Sequence, residues 1–295
     1  MWKVGGRAMQ IKFLNTNHDY KGMTKNDIVY AIKDINLSIE ETGEFVAIVG
    51  KTGSGKTTLV EHMNGLLLPT SGTVDILGSV LGPKKRKNPK LLEVRKKVGF
   101  VFQFPEYQLF EETVLKDIMF APKNFGMKDK EAKAHAIEAA NLVQLDPKLL
   151  NKSPFNLSGG QMRKVAIAGV LAYNPDVLLL DEPTRGLDPK GMKDVMDLFY
   201  KINQKMNKTI VLISHSMDNV YEYATRVVVM DNGRIAYDGD KYTLFKSGKY
   251  KELHLEKPAV LKAIDYLNET LNINLDYDIY TLNELEDRLR EVYHE

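Results

Sequence analysis

The sequence contains no cysteine among its 295 residues. This absence excludes disulfides, thiolate zinc sites and a cysteine nucleophile, and it fits a reducing compartment without proving one. Apolar runs are also short, since none approaches the ~18 residues that a membrane-spanning helix needs, and the N-terminus lacks the apolar core of a signal peptide. A membrane role would therefore need a partner that holds this chain at the membrane.

The chain also lacks an excess of either charge, because 41 Lys and Arg residues against 39 Asp and Glu residues leave a net charge of +2. Such a small net charge does not by itself imply a polyanionic partner. The basic run KKRKNPK at residues 84–90 has no interleaved aromatic residues. We interpret it as a solvated loop rather than a nucleic-acid or headgroup site, and no nucleic-acid partner is expected.

Hydrophobic periodicity predicts strand-rich regions separated by a helical one. Short strands alternate polar and apolar residues in the first 80 residues, and helix-forming runs lie between Thr113 and Leu150. The apolar runs DVLLLD and TIVLISH are typical of parallel strands that are buried on both faces. Beyond Tyr242 the composition becomes helical and charged, and Thr281 with Glu284 forms a capping-box pattern. The sequence thus predicts a nucleotide-binding type of core, a helical insert and a small C-terminal appendage.

The segment GKTGSGKTT directly follows the apolar strand FVAIV and matches the phosphate-loop pattern. Glycines leave backbone N–H groups free to surround phosphate oxygens, and the following helix directs its positive N-terminus at the anion. In this pattern Lys56 reaches the β- and γ-phosphates and Thr57 offers its hydroxyl to Mg²⁺. The predicted nucleotide-binding residues are Gly50, Lys51, Thr52, Gly53, Ser54, Gly55, Lys56, Thr57 and Thr58. Kinases, GTPases, helicases and transport ATPases all remain possible at this point.

Two further motifs narrow the choice. The apolar strand in VLLLDEP ends in Asp181, which is placed to hold Mg²⁺ through its water shell, and in Glu182, a candidate acceptor for a proton from the attacking water. The segment LSGGQ precedes a helical run, and Ser158 can cap that helix while two glycines leave N–H groups open. A second anion-accepting helix start is informative, because one nucleotide needs only one phosphate cradle.

The order of these motifs resembles that of the ATP-binding-cassette ATPases over about residues 11–240. The matching set is GKTGSGKT, Gln103 after a strand, LSGGQ, LLLDEP, GLD and the histidine of LISH. The resemblance implies an α/β phosphate-loop ATPase core (residues 1–240) with a mixed or parallel sheet, an antiparallel β subdomain and a helical subdomain inserted at about 104–172. A C-terminal α-helical extension at 241–295 would serve pairing between ATPases.

The same resemblance implies a role for each matching residue. Gln103 would sense Mg²⁺ and the γ-phosphate, Glu182 would be the catalytic base, and His215 would contact the γ-phosphate. The implied catalytic set is Glu182, His215, Gln103 and Lys56, and the implied Mg²⁺ ligands, some through water, are Thr57, Gln103 and Asp181. Two cassettes pair head to tail in this family, so the signature residues Leu157, Ser158, Gly159, Gly160 and Gln161 would bind the ATP held by the partner, beside the D-loop of Gly186, Leu187 and Asp188.

Three positions stay open. Tyr20 resembles the aromatic residue that stacks on adenine, and Tyr30 is its rival because both precede the phosphate loop. Arg185 occupies a D-loop position that is commonly small, and its charge is unexplained. Met9 begins the family-like run MQIKFLN, so either Met1 or Met9 could be the native start.

Within the family, FQFPEYQLFEETVLKDI and DEPTRGLDPKG resemble the ATPase subunits of energy-coupling-factor importers, and more closely the second ATPase of a heteromeric pair. The resemblance implies a peripheral protein on the cytoplasmic face of the cell membrane that hydrolyses ATP with Mg²⁺. Its partners would be a second, similar ATPase, a transmembrane coupling protein and small substrate-binding membrane proteins. The substrates would be vitamins or transition-metal ions, and this chain does not reveal which.

The aromatic stretch after Gln103 is where the family docks its transmembrane partner. The predicted docking residues are Phe104, Pro105, Tyr107, Leu109 and Phe110. Packing of Phe104, Leu109 or Phe110 between insert and core is the alternative. Two other functions are weighed against this importer: an ordinary importer fed by a soluble binding protein, and a soluble ATPase acting on ribosomes or DNA. A single phosphate loop and the lack of a long heptad insert argue against the soluble type.

Overall fold

The structure of the protein is a computed structural model that describes residues 10–21, 28–39, 43–83 and 90–293. Both candidate start residues, Met1 and Met9, lie outside these ranges, as does the basic run apart from its last residue. Within the described ranges the strands are β1 (Ile11–Lys21), β2 (Ile28–Ile39), β3 (Phe45–Val49), β4 (Ser71–Ile76), β5 (Ser79–Leu81), β6 (Val98–Val101), β7 (Val177–Asp181), β8 (Thr209–Ile213), β9 (Arg226–Asp231) and β10 (Arg234–Asp240).

The helices connect these strands and dominate the middle and the end of the chain. They are α1 (Lys56–Met63), α2 (Lys90–Lys97), α3 (Val114–Asn124), α4 (Asp129–Leu142), α5 (Gly159–Leu171), α6 (Pro189–Met206), α7 (Met217–Tyr223), α8 (Lys241–Lys246), α9 (Lys249–Glu252), α10 (Ala259–Leu271) and α11 (Leu282–Tyr293). Short 3₁₀ helices lie at Pro105–Gln108, Pro147–Leu149 and Pro154–Asn156.

The larger sheet places the chemistry-bearing residues along one edge. Its strand order is β10-β9-β3-β8-β7-β6, and β3 pairs in parallel with β8 and β9, as β7 does with β6 and β8. Parallel strands share the direction in which they end, so the loops after Val49, Val101, Asp181 and Ile213 emerge together. Antiparallel β10 closes the sheet beside β9.

A second sheet packs on the opposite side from the helical insert. It is antiparallel in the order β2-β1-β4-β5. The buried strand β3 divides its side chains between two cores: Phe45, Ala47 and Val49 face the helical side, while Val46 and Ile48 face the small sheet. Full burial on both faces explains the continuous apolar sequence of β3. This architecture confirms the predicted fold class.

The C-terminal helices pack onto the main core. Val260, Leu261 and Ile264 of α10 are buried within it. The predicted capping box precedes α11: the Glu284 amide donates to the Thr281 hydroxyl at 3.1 Å, and the Thr281 amide donates to the Glu284 carboxylate at 3.2 Å. Satisfying these amides fixes the start of α11.

Candidate nucleotide site

The phosphate loop runs from the end of β3 to the start of α1. Gly50 and Gly55 have φ values of 140° and 98°. A Cβ atom at Gly50 would lie 2.2 Å from the Met230 carbonyl oxygen, and one at Gly55 would lie 2.3 Å from the Ala31 carbonyl oxygen. Only glycine fits both backbone and space at these two positions, so the loop can curl tightly against its neighbours.

Lys56, the first residue of α1, lies inside this loop with only 6% of its surface exposed. Its Nζ donates to the carbonyl oxygens of Gly50 at 2.8 Å and Lys51 at 2.9 Å. Burial lowers the pKa of Lys56, and the negative charges of Glu182 and Asp181 offset part of that decrease. An ammonium has three hydrogens, so these two bonds leave one for an anionic oxygen.

The acidic strand end lies next to Lys56. Asp181 ends β7 and pairs in register with Ile213 of β8. Burial, followed by the charges of Glu182 and Glu61, raises the pKa of Asp181 to about 6. Carboxylates this close oppose each other's ionisation, which is the electrostatic setting in which a cation binds well.

Glu182 is the centre of a hydrogen-bonded cluster. Its Oε2 accepts from Gln103 Nε2 at 2.8 Å, and its Oε1 lies 3.0 Å from His215 Nε2. Arg185 Nη1 also reaches Oε2, at 3.1 Å. These contacts bring together the ends of β6, β7 and β8, and the carboxylate orientation suits a group that accepts a proton from a positioned water.

A cleft of about 240 Å³ opens above the phosphate loop. The described residues that line it are Ala31, Thr52, Gly53, Gly55, Lys56, Thr57, Thr58, Glu182, Ile213 and His215. The predicted phosphate-loop and catalytic residues thus meet around one cavity. The remaining loop residues, Gly50, Lys51 and Ser54, lie directly beside it in the chain.

The signature segment lies elsewhere on the surface. Ser158 caps α5, accepting from the Gln161 amide at 3.4 Å, and the Gln161 side chain accepts from the Ser158 amide at 3.1 Å. A Cβ atom at Gly159 or Gly160 would have no described atom within 4 Å. None of the five signature residues is among the described residues that line the cleft. The chain therefore does not bring its own signature to its own phosphate loop.

The D-loop has a structural function that the geometry defines. Asp188 caps α6, because its Oδ1 accepts from the Gly191 amide at 3.1 Å. Gly186 has a φ of 77° and, with Leu187, connects the turn after Glu182 to this cap. The D-loop is thus fixed at one end by the acidic turn and at the other by the helix.

The two candidate adenine-stacking residues lie on neighbouring strands. Tyr20 of β1 is 48% exposed and packs edge-on against His18, and Tyr30 of β2 is 44% exposed. Ala31, the neighbour of Tyr30, lines the cleft, but neither tyrosine is among its described lining residues. The choice of Tyr20 stays a prediction.

The predicted docking residues divide into two groups. Phe104, Tyr107 and Phe110 are exposed by 38%, 83% and 56%, whereas Pro105 is buried and Leu109 is only 9% exposed. Leu109 belongs to the main core. In the isolated chain it therefore packs between the insert and the core, which is the alternative to docking. Of the exposed group, Phe110 lines a groove of about 410 Å³ between β6 and the helices α3 and α5, and Phe104 and Tyr107 are not among the described residues that line it.

Sequence reasoning missed two contacts at the site. The sequence left the charge of Arg185 unexplained, and the structure shows that Arg185 forms an ion pair with Glu182. The sequence did not indicate a role for Arg163, which is buried in α5 and forms an ion pair with Glu106. A buried charge requires a partner, but the local sequence does not reveal which distant residue supplies it.

Comparisons with known proteins agree with this geometry. A family model described as ABC transporter matches residues 32–185. The energy-coupling factor transporter ATP-binding protein EcfA2 of Bacillus subtilis is 48% identical over 264 residues, covering 89% of this chain and 95% of that protein. The EcfA2 protein of Ligilactobacillus salivarius is 50% identical, covering 85% and 86%.

Two solved structures are also similar. CbiO1 from Clostridium perfringens, described as part of the ABC transporter complex cbiONQ, has a TM-score of 0.72 and 32% identity, covering 90% of this chain and 96% of that one. The ATP-binding cassette MJ0796, in a dimer bound to ADP and Pi, has a TM-score of 0.69 and 33% identity, covering 78% and 98%. Among the described residues, no helix has the length and apolar character to cross a membrane.

Proposed function

Because this chain belongs to the ABC transporter family and, within it, to the ATP-binding proteins of energy-coupling factor transporters, we propose that it powers import through a membrane partner by binding and hydrolysing ATP. The protein works on the cytoplasmic face of the cell membrane, and its transporter takes up vitamins or transition-metal ions. One observation carries the ATPase proposal: Gln103 and His215 both contact Glu182 beside the phosphate loop.

The chemistry follows from these positions. The phosphates of ATP lie in the loop, where Lys56 and backbone N–H groups balance their charge. Glu182 accepts the proton of the attacking water, and the Gln103 and His215 side chains fix the direction of its carboxylate. The cleft lining includes His215, which can also donate to the γ-phosphate.

The residues present fit a magnesium ion. Mg²⁺ prefers oxygen ligands, and the Thr57 hydroxyl, the Asp181 carboxylate and the side-chain oxygen of Gln103 would hold it, in part through water. The raised pKa of Asp181, caused by burial and by neighbouring carboxylates, supports a cation there. Mg²⁺ would supply positive charge to the phosphates. The described part of the chain has no group of three or more His, Cys, Asp or Glu side chains that could hold a metal ion, and phosphate oxygens of ATP would supply further ligands.

A second, similar ATPase completes the site. The capped start of α5 at Ser158 exposes Gly159 and Gly160 with open space around them, and a helix N-terminus with open N–H groups binds anions. Head-to-tail pairing places this signature, with the D-loop, on the ATP of the partner cassette. The C-terminal extension at 241–295 adds contacts between the paired ATPases, and residues 1–240 form the ATPase domain with its helical subdomain at 104–172.

Membrane partners dock beside the nucleotide site. The exposed ring of Phe110 lines the 410 Å³ groove, and Phe104 and Tyr107 are exposed in the same segment. Exposed aromatic surface next to a groove suits a helix of a transmembrane coupling protein. That protein in turn binds the small membrane proteins that select the substrate.

Affinity purification of the tagged chain from detergent-solubilised membranes tests the transporter assignment. We expect recovery of a second, non-identical cassette together with more than one membrane protein. Recovery of a single kind of transmembrane subunit with a soluble binding protein would instead indicate an ordinary importer, and co-sedimentation with ribosomes without membranes would overturn the membrane role.

A further inference from the structure

A buried ion pair connects the signature helix to the docking segment. Arg163 lies in α5 with only 3% of its surface exposed. Its Nε donates to Glu106 Oε2 at 3.0 Å, and its Nη2 donates to Glu106 Oε1 at 2.8 Å. Glu106 belongs to the short helix between Phe104 and Leu109. Two parallel bonds between planar groups fix both distance and orientation.

The same guanidinium also contacts the turn that follows Glu182. Arg163 Nη1 donates to the carbonyl oxygens of Pro183 at 3.3 Å and Arg185 at 3.0 Å. Arg163 therefore joins three segments at one point: α5, the docking segment and the acidic turn. A lysine at this position could not reach four acceptors in these directions, because its donors radiate from one atom.

The acidic turn needs such support. Glu182 has a φ of 45°, in the left-handed region that a residue with a side chain rarely adopts. That conformation is strained and persists only where the surroundings fix it. The Glu182 amide donates to the Ile213 carbonyl at 3.1 Å on one side, and Arg163 holds the next carbonyls on the other.

We propose that Arg163 is a positioning residue for Glu182. It holds the turn at 182–185 so that the carboxylate faces the cleft, and it passes movements of the docking segment and the signature helix to that carboxylate. This inference rests on the proposed function, because it takes Glu182 as the catalytic base.

Stability alone does not account for the arrangement. Replacing a buried ion pair by apolar side chains of similar volume is often neutral or stabilising, whereas removing one partner leaves an uncompensated charge. The double variant R163M/E106L therefore separates the two roles: a structural role predicts recovery of both stability and activity, and a positioning role predicts recovery of stability only.

The test measures steady-state ATP hydrolysis and ATP affinity in the full complex purified with this chain. We expect R163K and R163M/E106L to lower kcat by about 10- to 100-fold, since a small misplacement of a reacting group has an effect of this size. The Kd for ATP should change less than about twofold, because Arg163 does not line the cleft among its described residues. K164M, which removes a charge from the neighbouring, half-buried position of α5, is the control and should keep wild-type kcat.

Each outcome either supports or overturns the positioning role of Arg163. Wild-type kcat in R163K, or in a stably folded R163M/E106L, would overturn the positioning role. Should the double variant not fold, R163K decides alone, because it keeps the buried charge opposite Glu106. Wild-type hydrolysis by E182Q in the same assay would instead overturn the proposed base, whatever the Arg163 variants do.

Discussion

The two anion-binding regions of this chain differ in how complete they are. The phosphate loop is enclosed by its own chain, with Lys56 buried and Glu182 held by Gln103 and His215. The signature start has a side-chain cap at Ser158, and both Ser158 and Gly160 are exposed on the surface. The first region forms one side of a nucleotide site, and we propose that the second binds the nucleotide that a partner cassette holds.

Topology explains the difference. Parallel strands bring Lys56, Asp181, Glu182 and His215 to one edge of the sheet, whatever their separation in sequence. The signature helix α5 belongs to the inserted helices α3 to α5, and its N-terminus lies away from that edge. This separation within one chain supports the proposal that a second cassette completes the nucleotide site.

Removing the buried ammonium should have the largest effect on the first region. Lys56→Ala deletes a charge that is 6% exposed and directed into the loop. The ATP affinity should fall by about 100-fold, because truncating one partner of a buried charge pair costs several kcal/mol. Isothermal titration with ATP measures it, with exposed Lys96→Ala as control. Wild-type affinity in Lys56→Ala would show that the phosphates lie elsewhere.

Changing the second region should separate binding from hydrolysis. Gly160→Asp places a carboxylate where open space surrounds the Cβ position, so the fold should persist. Repulsion of the partner's γ-phosphate should lower hydrolysis about 10-fold or more, while ATP binding to this chain's own loop stays unchanged. Asn156→Asp adds the same charge outside the signature and should remain active. A fall in this chain's own ATP affinity would contradict pairing in trans.

The docking segment offers a contrast between neighbours. Leu109→Ala should lower the free energy of unfolding by about 2–4 kcal/mol, because it leaves a cavity in the main core. Phe110→Ala should cost less than about 1 kcal/mol, since the ring is 56% exposed and meets Phe120 edge-on, with 4.8 Å between the ring centroids. Recovery of membrane partners should nevertheless fall for Phe110→Ala. Unchanged recovery per folded molecule would remove the docking role.

The smallest expected effect is that of replacing Asp181 on the stability of the chain. Its pKa is about 6 in the folded chain, against 3.8 for an ordinary aspartate. Ionisation is therefore disfavoured in the folded state, and the contribution of this group to stability decreases as pH rises from about 4 to 6. Because Asp181 is only partly buried, solvent screening reduces the full effect of this shift. Asp181→Asn should therefore raise the free energy of unfolding of the nucleotide-free chain by about 1 kcal/mol above pH 6. Thermal melts at pH 4 and pH 7.5 measure it. A gain of equal size at both pH values would contradict the electrostatic cause.

Much of the site was predictable because its motifs are local. The phosphate loop, the acidic strand end and the helix cap at Ser158 each depend on residues that lie within a few positions of one another. The buried parallel strands were also predictable, from their continuous apolar runs. The contacts Arg163–Glu106 and Arg185–Glu182 were not predicted: the first joins positions 57 residues apart, and the second depends on the turn conformation. Burial of Leu109 beside exposed Phe110 also depends on how the insert packs, which apolar character alone does not determine.

Glu182→Gln tests the central claim most directly. In the purified membrane complex with ATP and Mg²⁺, steady-state hydrolysis should fall by about 10²- to 10⁴-fold because the amide cannot accept the proton of water. ATP should still bind with near wild-type affinity and remain trapped between the paired cassettes, since Lys56 and the loop are untouched. Hydrolysis at the wild-type rate would contradict the assignment of Glu182 and, with it, the account of this cleft as the site of ATP hydrolysis.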